Sequence, residues 1–364
     1  ARQRSRKRVL IALLLIQIAC LFLWAGLWGV SRPQPVGAPP TAEDVTLSFL
    51  LNPSEKGYWD DVVSAFETDH PNIKIDLITN PGVTEDASLT DVRASIYGAD
   101  FQLAEAAYDL VFMDVVWTEP FKKNLLDLNQ LIKQDNRKGA EADSFDRSDF
   151  LQSEIEAGTI DGKFYRMPMY ADVGVLYYRK DWLEAAGLDV SEAIAPTTVE
   201  ALEKTIQEVS TFLKGETAPQ ASRAPGIEYG YLWQGLEYEG LVANFMEVLS
   251  GQGGRWIDEK TAVRLNESEA IESAKVLRQL IEREISPETV IDYTEENSKQ
   301  DFIEGKAVFL RGWPDFWTAI VEAGLENKVA VARPFSFSAN PGQGCRGGWG
   351  LGIANNAAHP QESW

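Results

Sequence analysis

Residues 108–114 read Tyr-Asp-Leu-Val-Phe-Met-Asp, with four consecutive apolar residues between two acids. A continuous apolar run of this length is typical of a β-strand that is buried on both faces of a sheet. The run ends at Asp114, and open α/β sheets bind their ligands beyond the carboxyl ends of their strands. This stretch therefore predicts a buried strand with an acidic side chain at a binding edge.

The residues before this strand predict a parallel strand pair. Residues 45–51 alternate between apolar and polar, residues 59–66 carry apolar side chains at helical spacing, and residues 73–77 alternate again. A strand, helix and strand of these lengths imply two parallel strands joined by a crossover. A further helix is predicted over 89–99, so the chain is assigned to the α/β class.

The later part of the chain alternates between amphipathic helices and short strands. Thr197 with Glu200 fits a helix-capping box, and Asn266 is placed to cap a second amphipathic helix. Residues 307–310 predict a strand, and 311–314, Arg-Gly-Trp-Pro, predict a turn after it. These apolar stripes indicate core packing rather than a cofactor site.

Composition excludes several classes of function. A chain of 364 residues is long enough for two domains. Its net charge is −21, which disfavours binding to nucleic acid or to an anionic membrane surface. With two cysteines and two histidines, the chain lacks zinc or iron–sulfur ligand spacing and a histidine-dependent nucleophile. We therefore expect no cofactor and no metal.

The N-terminal residues predict export of the rest of the chain. Residues 1–8 are a basic flank, residues 9–30 are apolar apart from Gln17, and residues 31–42 form a Pro- and Gly-rich tether. The apolar run can span a bilayer, for which about 20 residues suffice, and the basic flank should stay cytoplasmic. Three alternatives remain open: an uncleaved transmembrane signal anchor, a lipoprotein signal with lipid on Cys20, and a cleaved signal.

Six stretches, taken in their order along the chain, resemble the family 1 extracellular solute-binding proteins of bacterial ABC sugar importers. The resemblance is nearest to the branch that binds trehalose, maltose, sucrose or glucosylglycerol, and it covers the chain from Val45 onward. The six stretches are Glu55–Trp59, Asp109–Trp117, Tyr170–Lys180, Trp233–Leu241, Phe302–Trp313 and Gly347–Trp349.

The resemblance implies a two-lobed periplasmic-binding-protein fold of type II, with hinge-linked lobes and a ligand cleft between them. Lobe one is expected to hold residues 43–162 and 309–347, and lobe two residues 163–308 and 348–364. The resemblance also implies that further helices follow the position of Trp364 in family members.

The resemblance also implies which residues hold the ligand. A sugar needs carboxylates that accept from hydroxyls, a guanidinium that donates, and aromatic rings against its C–H faces. Tyr170 and Asp172 are two apart, so on a strand they point the same way. Trp117, Trp233, Trp256 and Tyr238 are assigned mainly to the core. The predicted ligand-binding residues are Glu55, Arg93, Asp114, Tyr170, Asp172, Trp313, Gly348 and Trp349.

The sequence thus predicts a monomeric, non-enzymatic binding subunit. It would capture a disaccharide or glucosylglycerol at the outer face of the cytoplasmic membrane and deliver it to the permease subunits. One alternative is a membrane-anchored sugar sensor. Another is a glycoside hydrolase, which needs two carboxylates about 5 to 10 Å apart across one bond; no sequence feature singles out such a pair.

Overall fold

The computed structural model describes residues 44–51, 55–79, 88–138, 145–215, 227–258 and 262–364. The predicted basic flank, apolar run and tether, residues 1–42, lie outside these ranges. Within the described ranges, no helix is both long enough and apolar enough to cross a membrane.

The described elements alternate between strands and helices, as the sequence predicts for an α/β protein. Strands β1 to β11 are, in chain order, Val45–Leu51, Ile73–Thr79, Leu110–Asp114, Thr159–Ile160, Lys163–Phe164, Met167–Val173, Val175–Arg179, Tyr229–Leu232, Ala307–Gly312, Val329–Ala332 and Arg346–Ile353. Helices α1 to α13 are Lys56–Asp69, Ser88–Asp100, Thr118–Phe121, Leu128–Lys138, Gln152–Ala157, Lys180–Ala185, Val190–Ala193, Val199–Lys214, Glu239–Gly251, Ser268–Glu282, Glu295–Ile303, Phe316–Glu322 and Pro360–Ser363.

The first strand pair has the predicted arrangement. β1 and β2 are parallel, with Val45 opposite Ile73, and α1 forms the crossover between them. The helix ends where the sequence predicts, because the backbone N–H of His70 donates to Phe66 and the next residue is a proline. The predicted parallel pair is therefore confirmed.

One three-stranded sheet carries the strand that the opening motif predicts. Its order is β3-β11-β6, and β11 is antiparallel to both neighbours. The apolar residues of β3 are buried, as expected for a strand covered on both faces. Phe112 of this strand packs in one core with Phe49, Phe164 and Ile353. These elements form the first lobe.

A four-stranded sheet organises the second lobe. Its order is β10-β7-β9-β8, and every residue of β9 is buried. Trp182 and Phe309 lie in the main core of this lobe, together with apolar residues from the surrounding helices. Charged residues are seldom buried without a partner, so Arg311 within β9 requires an acid nearby.

The strand pairing contradicts the predicted lobe boundaries. The sequence assigns residues 309–347 to lobe one and 348–364 to lobe two, but β9 and β10 belong to the second sheet and β11 to the first. Lobe two is also predicted to start at 163, whereas β5 pairs with β4 and Phe164 lies in the first-lobe core. The sheet that a strand joins depends on its hydrogen-bonding partners, which its own apolar pattern does not encode.

Two local predictions also need correction. The helix after residue 198 is capped by Thr198, whose side chain accepts from the N–H of Ala201, rather than by Thr197. The helix Ser268–Glu282 has Glu267 at its N-cap position, and no side chain caps it. The prediction that Asn266 caps this helix is therefore wrong. The predicted turn after β9 begins too early, since Arg311 is still part of the strand.

Candidate functional site

Three of the predicted ligand residues form a row across the β3-β11-β6 sheet. Asp114, the last residue of β3, lies opposite Trp349 of β11. Trp349 in turn lies opposite Tyr170 of β6. Directly opposite residues on neighbouring strands project from the same face, so an acid, an indole and a phenol lie side by side.

Behind this row, Trp349 is held by aromatic and cationic contacts. Its ring centroid is 5.0 Å from that of Phe112 and 5.5 Å from that of Trp117. The guanidinium carbon of Arg93 lies 4.6 Å from the ring centroid of Trp349. Arg93 Nη2 also lies 2.6 Å from a carboxylate oxygen of Glu55. These contacts fix the indole plane and link Glu55 to the row.

Arg93 therefore occupies a different position from the one predicted. The sequence places it on the ligand face, but the residue is only 1% exposed. Its Nε and Nη1 atoms are buried without a hydrogen-bond partner among the described residues. In this arrangement Arg93 contacts the carboxylate of Glu55 and the ring of Trp349.

A second acid, Asp172, lies on β6 two residues after Tyr170. Tyr170 is 45% exposed and Asp172 is half-buried. Asp172 lies opposite Gly347. A Cβ atom on Gly347 would lie 3.2 Å from Cβ of Asp172 and 3.3 Å from the ring of Trp313. The ring of Trp313, which follows the second-lobe strand β9, thus reaches the face that carries the row.

Gly348 occupies a backbone position that favours glycine. Its φ is +133°, which side-chain-bearing residues rarely adopt. A Cβ there would lie 2.8 Å from the carbonyl oxygen of Tyr170 and 3.0 Å from Oε2 of Glu154. Neighbouring residues of a strand face opposite sides of the sheet. Gly348 therefore faces away from the side that carries Trp349, and it faces Glu154.

On the second-lobe side, Trp313 is oriented by two charged residues. Its Nε1 donates to Oε1 of Glu295 at 3.3 Å, and the guanidinium carbon of Arg311 lies 4.0 Å from its ring centroid. The hydroxyl of Tyr238 donates to the other oxygen of Glu295. Tyr238, which the sequence assigns mainly to the core, therefore takes part in positioning Trp313.

The other three aromatic residues assigned to the core have core surroundings. Trp117 and Trp233 are buried, and Trp233 donates its indole N–H to Ser286. The ring of Trp256 contacts that of Phe245. Five of the eight predicted ligand residues, by contrast, lie on the three-stranded sheet, Arg93 contacts Trp349 of that sheet, and the ring of Trp313 approaches it near Gly347.

The carboxylates of the row have raised pKa values. Burial raises the pKa of Asp114 to about 6, against the partly compensating hydrogen bond from the backbone N–H of Val116. Burial also raises the pKa of Asp172 to about 6, with repulsion from Asp315 as the next cause. Burial, followed by the charge of Glu55, raises the pKa of the Tyr170 hydroxyl. Both aspartates are thus ionised near neutral pH and are mostly protonated below about pH 5.

Two buried ion pairs next to the site were not predicted. Arg166 Nη2 lies 3.0 Å from Glu154 Oε2 behind Gly348. Arg311 Nη2 lies 2.7 Å from Glu247 Oε1. The sequence does carry a signal for both, because each arginine sits inside a run of apolar or aromatic residues that is otherwise suited to burial.

A separate depression lies away from the row. Its volume is about 530 Å³, and it is lined by Lys122, Lys123, Lys163 and their neighbours but by none of the eight predicted residues. Across the ranges that the structure describes, no group of three or more histidine, cysteine, aspartate or glutamate side chains could hold a metal ion. The arrangement of the row suits hydrogen bonding to hydroxyls and stacking on an apolar ring face.

Comparison with protein families agrees with this architecture. A family described as bacterial extracellular solute-binding protein matches residues 52–364. The chain belongs to this family. Members of the family bind solutes and are not enzymes, and their fold is the two-lobed type II fold that the sequence predicts.

Individual solute-binding proteins are similar over most of this chain. A probable ABC transporter-binding protein of Deinococcus radiodurans is 28% identical over 280 residues, covering 75% of this chain and 60% of that protein. The mannitol-binding protein of Pseudomonas aeruginosa is 24% identical over 283 residues, covering 75% of this chain and 55% of that protein. The chain thus spans about 60% of the length of these curated relatives.

Among solved structures, maltose-bound MalE3 of T. maritima superposes with a TM-score of 0.70. It is 28% identical to this solute-binding protein, and the match covers 87% of this chain and 74% of that one.

Proposed function

We propose that this protein is the substrate-binding subunit of a bacterial ABC importer and that it captures a small neutral carbohydrate. The observation that carries this proposal is the row of Asp114, Trp349 and Tyr170, with Asp172 and Trp313 beside it. Carboxylates accept from sugar hydroxyls in charge-assisted bonds, and aromatic rings cover the apolar face of a sugar ring. Disaccharides and glucosylglycerol are the first candidates.

The charges around the row favour a neutral ligand over an anionic one. Three arginines lie next to the site, Arg93, Arg166 and Arg311, and each is paired with its own glutamate. Asp114 and Asp172 have no ion pair of this kind among the described residues. A phosphate or carboxylate in the cleft would therefore meet two like charges at neutral pH.

The relatives support the same class of ligand. One similar structure was solved with maltose, and one similar protein is named for mannitol. Both compounds are neutral and rich in hydroxyls. We extend this class, rather than either compound, to the present protein.

The proposed lobes follow the sheets. The first lobe would hold residues 44–173 and 346–364, and the second lobe residues 174–345. The protein would be held at the outer face of the cytoplasmic membrane, either by residues 9–30 or by lipid on Cys20, and would deliver its ligand to the permease as a monomer.

Isothermal titration of the exported part of the chain tests the ligand class. We expect tight binding of at least one among trehalose, maltose, sucrose, glucosylglycerol and mannitol, and no binding of glucose 1-phosphate. Asp172→Ala should weaken that binding at least about tenfold, because sugar hydroxyls lose an acceptor in a closed site. The proposal is rejected if only the phosphate binds, or if the variant binds as tightly as the parent.

Uptake measurements test the importer. Deleting the gene should abolish uptake of the radiolabelled ligand, whereas a sensor would leave uptake intact and alter only the response to the sugar. Prolonged incubation with the bound disaccharide should leave it unhydrolysed.

A further inference from the structure

The chain passes between the two sheets at two neighbouring places. β6 of the first sheet continues into β7 of the second through the single residue Gly174, and β10 returns to β11 through residues 333–345. The two passages touch, because the N–H of Gly174 donates to the carbonyl of Cys345 at 2.9 Å. Any change in the angle between the lobes must therefore alter the backbone at these two passages.

A buried carboxylate holds this contact from the second lobe. Oε1 of Glu247, on helix α9, accepts from the N–H of Cys345 at 2.9 Å. The same oxygen lies 2.7 Å from Nη2 of Arg311, and Arg311 Nε contacts both oxygens of the carboxylate. Arg311 is 0% exposed and Glu247 is 3% exposed.

The space around this carboxylate is closed. A Cβ atom on Gly174 would lie only 1.8 Å from Oε1 of Glu247 and 2.6 Å from Nη2 of Arg311. The absence of a side chain at Gly174 is thus what lets the ion pair reach the passage. On its other side, the guanidinium of Arg311 stacks on the ring of Trp313.

We propose that Glu247 and Arg311, named here the junction pair, are positioning residues for ligand capture: they hold the two passages in register and set the orientation of Trp313. The junction pair is not expected to touch the ligand. Oε1 of Glu247 contacts both the N–H of Cys345 and the guanidinium of Arg311, which packs on the ring of Trp313. The same buried carboxylate therefore supports the backbone of the passages and the orientation of the indole. The inference rests on the proposed function for the capture step, but the support of the passages can be tested without a ligand.

The decisive variant replaces both members, Glu247→Met with Arg311→Met. Replacing a buried ion pair by apolar residues of similar volume is often neutral for stability, so the variant should fold, with a Tm close to that of the parent. Hydrogen exchange should accelerate about tenfold or more in peptides covering 170–178 and 340–350, because the Cys345 N–H has lost its acceptor. Other regions should exchange as in the parent.

A second variant reaches the same pair without removing it. Gly174→Ala forces the Glu247 carboxylate to move, and Gly98→Ala is the matched control, because a Cβ there has no atom within 4 Å. Gly174→Ala should accelerate exchange in the same peptides, and Gly98→Ala should not. This variant decides the question if the double replacement fails to fold.

Isothermal titration with maltose and mannitol as probes measures the affinity of the parent and of each variant. We expect the affinity of both variants to fall about tenfold, within the range typical of coupling between separate sites, and that of Gly98→Ala to stay at the parental value. Unchanged exchange at the passages, or faster exchange with unchanged affinity, overturns the inference. If the parent binds neither probe, the titration is repeated with trehalose, sucrose and glucosylglycerol, and the proposed ligand class fails if none of the five binds. The exchange result decides in every case whether the junction pair holds the passages.

Discussion

Acidification is expected to weaken the binding of a neutral sugar about 100-fold between pH 8 and pH 5. The pKa values of Asp114 and Asp172 are both about 6. At pH 5 each carboxylate is ionised in roughly one molecule in ten, and only the ionised form makes charge-assisted hydrogen bonds with sugar hydroxyls. The charge of Asp114 helps to raise the pKa of Asp172, so the two acceptors titrate as a pair and together lose up to about a factor of 100. Isothermal titration with the tightest-binding neutral sugar at half-unit pH steps measures this slope.

The stability of the ligand-free protein should respond with the opposite sign. Both aspartates have a folded pKa above the 3.8 of a free aspartate side chain. Their contribution to stability is therefore fully present below the unfolded pKa and is lost as the pH rises through about 6. Lowering the pH from 8 to 5 therefore makes these two groups more favourable to the folded state, so the affinity should fall without a matching loss of thermal stability.

Asp172→Asn is the control for the pH dependence of sugar binding, because it keeps the shape of the side chain and removes one titratable carboxylate. The variant should bind more weakly than the parent at pH 8, and its further loss on going to pH 5 should be about tenfold. A parental affinity that is constant from pH 8 to pH 5 would refute the reasoning. An equal pH-dependent loss in parent and variant would refute the role of Asp172.

Three further predictions follow from the contacts of the site. Trp313→Ala should weaken sugar binding at least about tenfold in titrations, as expected for an aromatic side chain central to an interface; a parental Kd would count against its placement. Arg166→Met should lower the free energy of unfolding in urea by about 3 to 5 kcal/mol, because Glu154 remains buried and charged, and adding Glu154→Gln should restore most of that loss. Gly348→Ala should lower stability by about 1 to 3 kcal/mol, since its φ is +133°, and should also reduce affinity; a Tm equal to that of the parent would contradict the strain.

Local patterns predict the first lobe well. The alternation in 45–51 and 73–77 and the apolar run of 110–113 each become a strand, because the pattern and the burial agree. The fold class is likewise confirmed. Each of these features depends on side-chain periodicity, which is present in the sequence itself.

The long-range pairing is what the sequence does not reveal. β9 and β11 are both apolar or glycine-rich strands, and nothing in either segment indicates which sheet it completes. The predicted assignment of residues 309–347 to lobe one and 348–364 to lobe two is wrong for this reason. Arg311 was assigned to a turn, although its place in a buried strand makes it part of the support for Trp313.

The sequence names candidate ligand residues but does not show how the fold arranges them. The row of Asp114, Trp349 and Tyr170 depends on the register of three strands, which a single sequence does not show. Arg93 illustrates the limit, because helical spacing cannot tell a buried guanidinium from one that lines a cleft. Whether these residues bind the ligand stays a prediction until it is measured.

The position of β11 has a consequence for how the chain folds. Among the described strands it comes last along the chain, yet it lies between β3 and β6 at the centre of its sheet. Until residues 346–353 have been synthesised, both neighbours have unpaired edges, which are liable to associate with other chains. The four strands that the structure describes in the second sheet end by residue 332, and so they can pair earlier. The three-stranded sheet is thus expected to be completed after the four-stranded one.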